Sequence, residues 1–375
     1  NVSYKREFRG KFGNMNTRWH LKGVSCVDYL DVYKGFTQGL RESYKLNNIA
    51  ELELGEKKVE YGEQNLASLA DNDWQTFVDY NIQDVNLLVR MEEKLQFMML
   101  LRMLAYVGLT PLENAMGTIN VVTGAAVIEA RSQGQIVPTF EVERSGDRYE
   151  GAYVGEPERG FKDNIVSFDL NSLYPSIMIS LNLSPETKVG RFEVTGDGDV
   201  IVTSITGKVV ELTKEKFARF VEKEGISITR ANCLFSQKKK GIFPLITDKY
   251  YDKRKVIKKQ LGIAKRKLSK LKKGDTEYAA IKLEVDQAEI KQLTIKILIN
   301  RIYGYFGNKV SPMGDPDITR SITLTGQSII KRSNRILTDF VKERTGLDDN
   351  AIEKDPVVIY NDTDSVYVTI KHLIE

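Results

Sequence analysis

The chain has 375 residues, a hydrophobic share of 41%, a charged share of 28% and a formal net charge of +4. These values exclude a disordered protein, and the length allows a large core divided over two or three domains. No apolar run is long enough to cross a bilayer, and residues 1–20 lack the apolar stretch of a signal peptide. Cys26 and Cys233 are far apart in sequence and form no metal-type pair. We expect a cytoplasmic protein without membrane contact.

Three segments of the first third of the chain have clear patterns. Residues 24–33 alternate apolar and polar side chains, which predicts a half-buried strand. Residues 73–104 and 112–132 repeat apolar positions at helical spacing, and Pro138 is expected to end the second stretch. The first third is therefore predicted to be mainly helical.

A short apolar strand is predicted at residues 165–168, running directly into Asp169. Tyr174 and Pro175 should end that strand segment, because proline lacks a backbone donor and restrains the residue before it. Residues 196–199, with two Gly-Asp pairs, predict a turn between β-rich runs.

The last third combines long helices with a strand pair. Residues 250–273 and 276–303 read as two helices that a short connection folds into an antiparallel hairpin. A weaker helical pattern covers residues 324–344. Residues 357–360 and 365–370 predict two strands joined by a tight turn.

Basic residues are concentrated between Lys238 and Lys273, where they greatly outnumber two aspartates. Such a run standing alone is usually a solvated helix face. Arg254 and Lys258, four residues apart within it, could also hold phosphate oxygens, since Arg offers a fork and Lys a point charge. The phosphate interpretation depends on finding phosphate chemistry elsewhere in the chain.

Three aspartates are the candidate catalytic residues. Asp362 and Asp364 lie in the turn between two apolar strands, and Asp169 ends another strand. Alone, Asp362 and Asp364 are better explained as turn residues and Asp169 as a strand-end cap. Together, carboxylates from neighbouring strands can hold two Mg²⁺ ions about 3.5–4 Å apart, which suits nucleotidyl transfer.

A second candidate group lies on the predicted helix 276–303. Lys296, Asn300 and Tyr303 are spaced by four and then three residues, which places them on one helix face. A lysine, an amide and an aromatic ring in one stripe suit a triphosphate with a stacked base, although a mixed helix surface explains them equally well. Gly304 and Gly307 could let a base pair approach the backbone closely.

Several segments resemble motifs of the family B DNA polymerases, and most closely those of its phage branch; the three polymerase motifs occur in the family's order. Residues 169–177 (DLNSLYPSI), 296–304 (KILINRIYG) and 360–365 (YNDTDS) resemble the three polymerase motifs. Residues 149–157 (YEGAYVGEP) resemble the loop that links exonuclease and polymerase activities, and residues 80–84 resemble the third motif of the 3′→5′ proofreading exonuclease.

The resemblance implies a mixed α/β (α+β, multidomain) right-hand polymerase fold, with an antiparallel-sheet palm, helical-hairpin fingers and the C-terminal part of an RNase H-like exonuclease domain. Its implied divisions are the exonuclease part (1–96), a helical linking segment (97–140), the first palm part (141–240), the fingers (241–308) and the second palm part (309–375).

The resemblance also implies the roles of the site residues. Asp169 and Asp364 would be the principal ligands of two Mg²⁺ ions, with Mn²⁺ as a possible substitute, and the Leu170 carbonyl and Asp362 would assist. The backbone amides of Ser172 and Leu173 would meet the triphosphate of a dNTP.

The side chains around the nucleotide have implied roles as well. Tyr174 would lie under the sugar and exclude a 2′-hydroxyl. Arg254, Lys258 and Lys296 would grip the β- and γ-phosphates, Asn300 would line the pocket, and Tyr303 would pack at the nascent base pair.

The chain departs from the family pattern at some positions. Asn361 replaces the usual Gly, and we expect the turn to survive because Asn tolerates a left-handed backbone. Arg301 replaces the usual Ser, which could alter minor-groove contacts. Of the four exonuclease acids only Asp84, with Tyr80 nearby, has a counterpart, so the chain itself should not proofread.

The chain is expected to be a fragment or one piece of a split polymerase. Expected partners are primer–template DNA, dNTPs, a sliding clamp through a missing C-terminal region, and a possible complementary polymerase chain, in the host cytoplasm if the gene is viral.

Two alternatives remain open. A reverse transcriptase or RNA polymerase also has a palm domain, but those enzymes typically carry adjacent aspartates in the turn, and Tyr174 disfavours ribonucleotides. A non-catalytic DNA-binding or scaffold remnant is the alternative from another class, but it has no need for Asp169, Asp364 and Lys296 together.

Overall fold

The structure is a computed structural model that describes residues 3–9, 15–37, 39–59, 66–137 and 151–374. The chain divides into two compact units, each discontinuous in sequence. The first comprises Asn1–Gly124 and Ile257–Thr294, and the second comprises Ala125–Val256 and Ile295–Glu375. Every pair of described strands is antiparallel, and helices make up most of the rest, so the expected mixture of helices and antiparallel sheets is confirmed.

The first unit contains a two-stranded hairpin and a group of helices. Its elements are β1 (Ser3–Arg9), β2 (Met15–Leu21), α1 (Tyr29–Phe36), α2 (Leu46–Leu54), α3 (Leu66–Asn72), α4 (Trp74–Leu95), α5 (Phe97–Gly108), a 3₁₀ turn (Leu112–Asn114) and parts of α6 (Thr118–Ser132), α9 (Ile242–Leu268) and α10 (Tyr278–Phe306).

The strand predicted at residues 24–33 is wrong, because this segment enters helix α1. The Asp28 carboxylate accepts a hydrogen bond from the Leu30 amide at 2.8 Å and caps the helix. Val32 and Tyr33 are then buried as neighbours on the helix, whereas in a strand they would face opposite sides. Helix capping outweighs the alternating pattern.

The helical stretch predicted at residues 73–104 is confirmed, but it is two helices. Asp73 caps α4 by accepting from the Thr76 amide at 3.1 Å. Gln96 has a left-handed backbone (φ 53°), ends α4 and precedes α5. The stretch predicted at 112–132 is confirmed as the 3₁₀ turn followed by α6. Pro138, expected to end that stretch, lies outside the described residues.

The second unit contains two antiparallel sheets and the helices packed with them. Its further elements are β3 (Ile165–Asp169), α7 (Leu173–Leu181), a 3₁₀ turn (Pro185–Thr187), β4 (Lys188–Val194), β5 (Val200–Ser204), β6 (Val209–Leu212), α8 (Lys214–Glu224), β7 (Ile226–Ile228), β8 (Cys233–Ser236), α11 (Pro316–Thr345), α12 (Asp349–Lys354), β9 (Val358–Asp362), β10 (Ser365–Thr369) and α13 (Lys371–Ile374).

The two sheets of this unit differ in size. The five-stranded sheet has the order β6-β5-β4-β8-β7, and the turn predicted at residues 196–199 joins β4 to β5. The three-stranded sheet has the order β3-β10-β9, so the strand that follows the Asp362–Asp364 turn lies in the middle. Both predicted strands around that turn are confirmed.

Two prolines, Pro175 and Pro316, lie in the first turns of helices. The strand β3 ends at Asp169, and Tyr174 and Pro175 lie instead in the first turn of α7, so their expected role in ending the strand is wrong. A proline in the first turn is tolerated because no intrahelical donor is lost there. Helix α11 likewise begins at Pro316, capped by Asp315, eight residues before the predicted start at 324.

The two long helices predicted at 250–273 and 276–303 are confirmed as α9 and α10. Within the first unit, Lys265 of α9 forms an ion pair with Glu289 of α10. The helix α9 starts earlier than predicted, at Ile242, where the Ile242 amide donates to Glu186 Oε1 at 2.5 Å. The connection between the helices covers residues 269–277.

Candidate active site

The three candidate carboxylates come to one end of the three-stranded sheet. Ser365 is paired in register with Asp169 on one side and with Asp362 on the other. The Leu170 amide donates to the Asp364 carbonyl at 2.8 Å, and Ser365 Oγ donates to Asp169 Oδ1 at 3.3 Å. The three carboxylates meet because β3 is antiparallel to β10, so the C-terminal end of β3 and the β9–β10 turn lie at the same end of the sheet.

The turn itself has an unusual backbone. Thr363 has φ +55°, a conformation that β-branched residues rarely adopt. Two hydrogen bonds hold it: the Thr363 amide donates to the Tyr153 carbonyl at 3.1 Å, and Thr363 Oγ1 donates to Asp362 Oδ1 at 3.0 Å. Because Thr363 bends the chain here, Asp362 and Asp364 do not simply alternate along one extended strand.

The turn forms with Asn361 in place of glycine, as expected, but Asn361 does not itself adopt a left-handed backbone. Asn361 is absent from the positive-φ residues and is 3% exposed. Its side-chain amide pairs with that of Asn334 on α11: Asn334 Nδ2 donates to Asn361 Oδ1 at 2.8 Å, and Asn361 Nδ2 donates to Asn334 Oδ1 at 3.1 Å. An asparagine in place of glycine therefore fastens β9 to α11 instead of shaping the turn.

The electrostatics of the carboxylates fit a divalent cation. Burial raises the pKa of Asp364 above its ordinary value, and the negative charges of Asp169 and, more weakly, Asp362 raise it further. No described lysine or arginine forms an ion pair with any of the three. Among the described residues no group of three ligating side chains is already assembled around a cation position. Two oxygen-donor side chains with uncompensated charge are nevertheless the set that a hard cation prefers.

The N-terminus of α7 lies next to this cluster in sequence and has no side-chain cap from Ser172. Ser172 has a left-handed backbone (φ 55°) and does not cap the helix with its side chain, which instead donates to Asn171 Oδ1 at 3.2 Å. Amides at an uncapped helix start carry partial positive charge and suit phosphate oxygens. The role expected for the amides of Ser172 and Leu173 stays a prediction.

A cavity of about 260 Å³ in the second unit adjoins the turn. It is lined by six of the expected site residues, namely Ser172, Leu173, Tyr174, Asn300, Tyr303 and Asp364. The Tyr174 and Tyr303 rings meet at a centroid distance of 4.7 Å and a tilt of 41°. Burial raises the pKa of the Tyr174 phenol, and the charge of Asp364 adds to it.

Five lining residues were missed by the sequence analysis: Pro175, Met178, Thr247, Ile299 and Thr363. Met178 follows Tyr174 by one helical turn and Ile299 precedes Asn300, so helical spacing could have indicated both. Thr247 had no such signal; it is buried on α9 and its Oγ1 donates to Met178 Sδ at 3.4 Å.

The expected phosphate-binding side chains stand in different environments. Lys296 is exposed on α10, one turn before Asn300, and does not line the cavity. Arg254 is half-buried on α9, and its buried Nε has no hydrogen-bond partner among the described residues. Lys258 is exposed one turn further along α9, in the first unit. None of the three forms an ion pair with a described residue. Asp169, Leu170 and Asp362 also lie outside the cavity lining.

The remnant exonuclease residues on α4 have a cation partner. Lys58 Nζ lies 2.7 Å from Asp84 Oδ2 and 2.8 Å from the Tyr80 hydroxyl. Burial alone would lower the pKa of Lys58, but hydrogen bonds to Asp84 and Tyr80 outweigh it and raise that pKa. Lys58 was missed by the sequence analysis, since nothing in the surrounding residues indicates this pairing.

Other sequence expectations have a plain structural outcome. Tyr149 and Glu150 of the linking loop lie outside the described residues. Its described part runs beside β9, where the Gly155 amide donates to the Asn361 carbonyl at 3.1 Å. Arg301 is half-buried, and burial lowers its pKa. Within the described ranges, no helix is both long and apolar enough to span a membrane.

The sequence of this chain is similar to those of known proteins. The model of the family described as DNA polymerase family B matches residues 117–373. The chain is 28% identical to the DNA-directed DNA polymerase of Escherichia phage RB69, over 95% of this chain and 41% of that protein. It is 29% identical to the DNA polymerase delta catalytic subunit of Drosophila melanogaster, over 87% of this chain and 27% of that protein.

A solved structure shows the same fold. The family B DNA polymerase from the archaeon Pyrobaculum calidifontis matches with a TM-score of 0.60 and 20% identity, over 98% of this chain and 41% of that chain. The chain thus spans about two fifths of the phage and archaeal proteins that it matches. Because the family model covers more than half of its length, the chain belongs to DNA polymerase family B.

Proposed function

We propose that this chain provides the nucleotidyl-transfer site of a DNA-directed DNA polymerase that extends a primer with dNTPs during viral DNA replication. The observation that carries this proposal is that Asp169 and Asp364 meet, with no described lysine or arginine paired to either, beside a cavity lined by Tyr174 and Asn300. Because the chain spans 41% of the RB69 relative, the proposal concerns the polymerase to which this chain contributes.

The carboxylates would hold the divalent cations of the reaction. Asp169 and Asp364 would be the main ligands of two Mg²⁺ ions, assisted by the Leu170 carbonyl and Asp362, and Mn²⁺ would be accepted by the same oxygen donors. When bound there, such cations lower the pKa of the primer 3′-hydroxyl and neutralise the leaving pyrophosphate. The chain's own contribution is to hold Asp169, at the end of β3, beside Asp364, in the turn before β10. The backbone hydrogen bond from the Leu170 amide to the Asp364 carbonyl, at 2.8 Å, joins the two segments.

Backbone and basic groups would orient the triphosphate. The backbone amides of Ser172 and Leu173 would donate to phosphate oxygens at the positive end of α7, where no Ser172 side-chain cap is present. Lys296 and Arg254, neither of which pairs with a described acid, would neutralise the β- and γ-phosphates together with Lys258.

Two aromatic residues and an amide would position sugar and base. The ring of Tyr174, packed on Tyr303, would lie under the sugar and leave no room for a 2′-hydroxyl. Tyr303 would pack at the nascent base pair, and Asn300 would line the pocket wall. These contacts select a deoxyribonucleotide by shape.

The proposed polymerase has several partners. Primer–template DNA and dNTPs are its substrates, and the clamp and a complementary chain are expected through parts of the relatives that this chain does not cover. The expected divisions (1–96, 97–140, 141–240, 241–308 and 309–375) remain the proposed assignment to exonuclease part, linking segment, palm, fingers and palm. For a phage-encoded gene, the site of action would be the host cytoplasm.

Primer extension with matched aspartate variants tests the proposal. Asp169→Asn should abolish Mg²⁺-dependent incorporation, whereas Asp163→Asn, an exposed aspartate just before the same strand, should retain it. Loss in both variants would point to damage of β3 and not to a ligand role. A wild-type polymerase that binds primer–template but incorporates nothing would favour the scaffold alternative.

A further inference from the structure

Helix α11 has a buried glycine directly against the ring of Tyr174. A Cβ atom built at Gly326 would lie 3.0 Å from Tyr174 Cε1, a distance at which the ring must give way by a few tenths of an ångström. The same Cβ would meet Leu173 Cδ2 at 3.6 Å and Ile177 Cδ1 at 3.7 Å, which are ordinary contacts. The tight contact is therefore with Tyr174.

The backbone does not require glycine at this position. Gly326 lies inside a regular helix of 30 residues and is not among the positive-φ glycines. Alanine in a helix interior is more favourable than glycine because the glycine backbone loses more entropy on folding. The helix thus contains a residue that weakens it, and the space needed by the Tyr174 ring accounts for that residue.

Three helices together determine where the Tyr174 ring lies. The ring belongs to α7, packs on Tyr303 of α10 at 4.7 Å between centroids, and meets Gly326 of α11. The open space beside it is the cavity that also borders Asp364. A ring pushed away from α11 while Tyr303 occupies another side moves most easily into that cavity.

We propose that Gly326 is a positioning residue that sets how far the Tyr174 ring projects into the sugar pocket, and so tunes the selection of deoxyribonucleotides. The inference rests on the proposed function, in which Tyr174 lies under the sugar. A side chain at position 326 narrows the pocket, so the effect appears in nucleotide binding and sugar discrimination, not in the chemical step. Gly326 itself touches no substrate.

Steady-state primer extension by the full polymerase tests this with Gly326→Ala. We expect the KM for dNTP to rise roughly five- to tenfold, as for an overpacked contact, while kcat changes by less than about twofold. Incorporation of rNTPs should fall further still. Gly262→Ala, on α9 with nothing within 4 Å of the new Cβ, is the matched helix-glycine control and should leave the KM unchanged.

The Tyr174→Ala background separates this inference from its premise. With the ring removed, Gly326→Ala should no longer change the KM and should raise the melting temperature, since only the helix propensity remains. Should Gly326→Ala alone fail to fold, the double variant should fold again. An equal KM effect with and without the ring, no KM effect in the single variant, or a double variant that stays unfolded overturns the role of Gly326. If Tyr174→Ala leaves sugar preference unaltered, it is the sugar-selecting role of Tyr174 that fails.

Discussion

Two of the Asp-x-Asp pairs in the second unit, Asp315/Asp317 and Asp362/Asp364, share a spacing but have different surroundings. Asp317 is 2% exposed and lies 2.7 Å from Lys188 Nζ and 2.6 Å from Arg191 Nε, while Asp315 lies 2.8 Å from Lys188. Asp362 and Asp364 have no described basic partner. The charge with the largest effect on the pKa of Asp364 is that of another carboxylate, Asp169. The protein's own basic residues neutralise the first pair, whereas no described lysine or arginine neutralises the second.

The pKa shifts of Asp317 and Asp364 have opposite directions. Burial would raise the pKa of Asp317, but hydrogen bonds from Lys188 and Arg191 outweigh burial and hold it below its ordinary value. Burial and the charge of Asp169 raise the pKa of Asp364. The spacing of two acids therefore does not distinguish a structural ion cluster from a set of metal ligands, whereas the sign of the neighbouring charges does.

The largest expected effect is on catalysis. Asp364→Asn should reduce incorporation by about a thousandfold or more, because it removes a main cation ligand. Binding of primer–template should persist, and the free energy of unfolding should not fall, since the change removes repulsion from Asp169. Single-turnover extension measures the incorporation, and a DNA-binding titration measures the binding of primer–template. Asp197→Asn, in the exposed turn between β4 and β5, is the matched control. Retention of more than a tenth of the activity would contradict the ligand role.

The second effect is on stability. Asp317→Asn should lower the free energy of unfolding by about 3 kcal/mol, at the lower end for a broken buried pair because Lys188 keeps Asp315. Urea denaturation followed by circular dichroism measures it. Incorporation per folded molecule should stay near the wild-type value. A loss below about 0.5 kcal/mol, as for an exposed aspartate, would mean that the cluster is not structural.

The third expected effect is a pH dependence of the same cluster. The folded-state pKa of Asp317 lies below its unfolded value of about 3.9, so its stabilisation is present above that value and is lost as the pH falls through the folded one. The wild-type chain should therefore lose more stability than Asp317→Asn as the pH is lowered through this range. Urea titrations at a series of acidic pH values compare the two, and parallel curves would speak against the ion cluster.

The smallest expected effect concerns the amide pair that holds β9. Asn361→Ala and Asn334→Ala should each cost about 1–2 kcal/mol, because each leaves the partner amide unsatisfied near a buried position. The double variant should cost less than the sum, with a coupling of about 1 kcal/mol. Thermal and urea unfolding of the four proteins give the cycle. Additive losses would show that the two amides do not act as a pair.

Local signals explain what the sequence could predict of the fold. The strands β9 and β10 are rich in Val, Ile and Tyr around a two-acid turn, and α9 and α10 are long and periodic, so their type was evident. The strand predicted at residues 24–33 was wrong, because the alternating pattern does not encode the Asp28 helix cap or the burial of both Val32 and Tyr33. The division of residues 73–104 into two helices at Gln96 was not predicted, because glutamine rarely adopts the left-handed backbone that ends a helix.

The sequence could indicate candidate site residues where they lie within short motifs. Ser172 and Tyr174 of one motif and Asn300 and Tyr303 of another line one cavity, and their roles stay predictions. Contacts between distant positions were not predictable, such as Lys58 with Asp84, Asn334 with Asn361, or Gly326 with Tyr174. Each depends on the packing of helices against a strand or another helix, which the separate patterns do not specify.

We propose that Asp364 ligates a cation and that Asp317 does not. Mn²⁺ binding to this chain, followed by electron paramagnetic resonance in the presence of dNTP, distinguishes the two aspartates. We predict that Asp364→Asn weakens Mn²⁺ binding by at least about tenfold while Asp317→Asn leaves it unchanged in folded protein. Unaltered Mn²⁺ binding by Asp364→Asn, or an equal loss in both variants, would contradict the account.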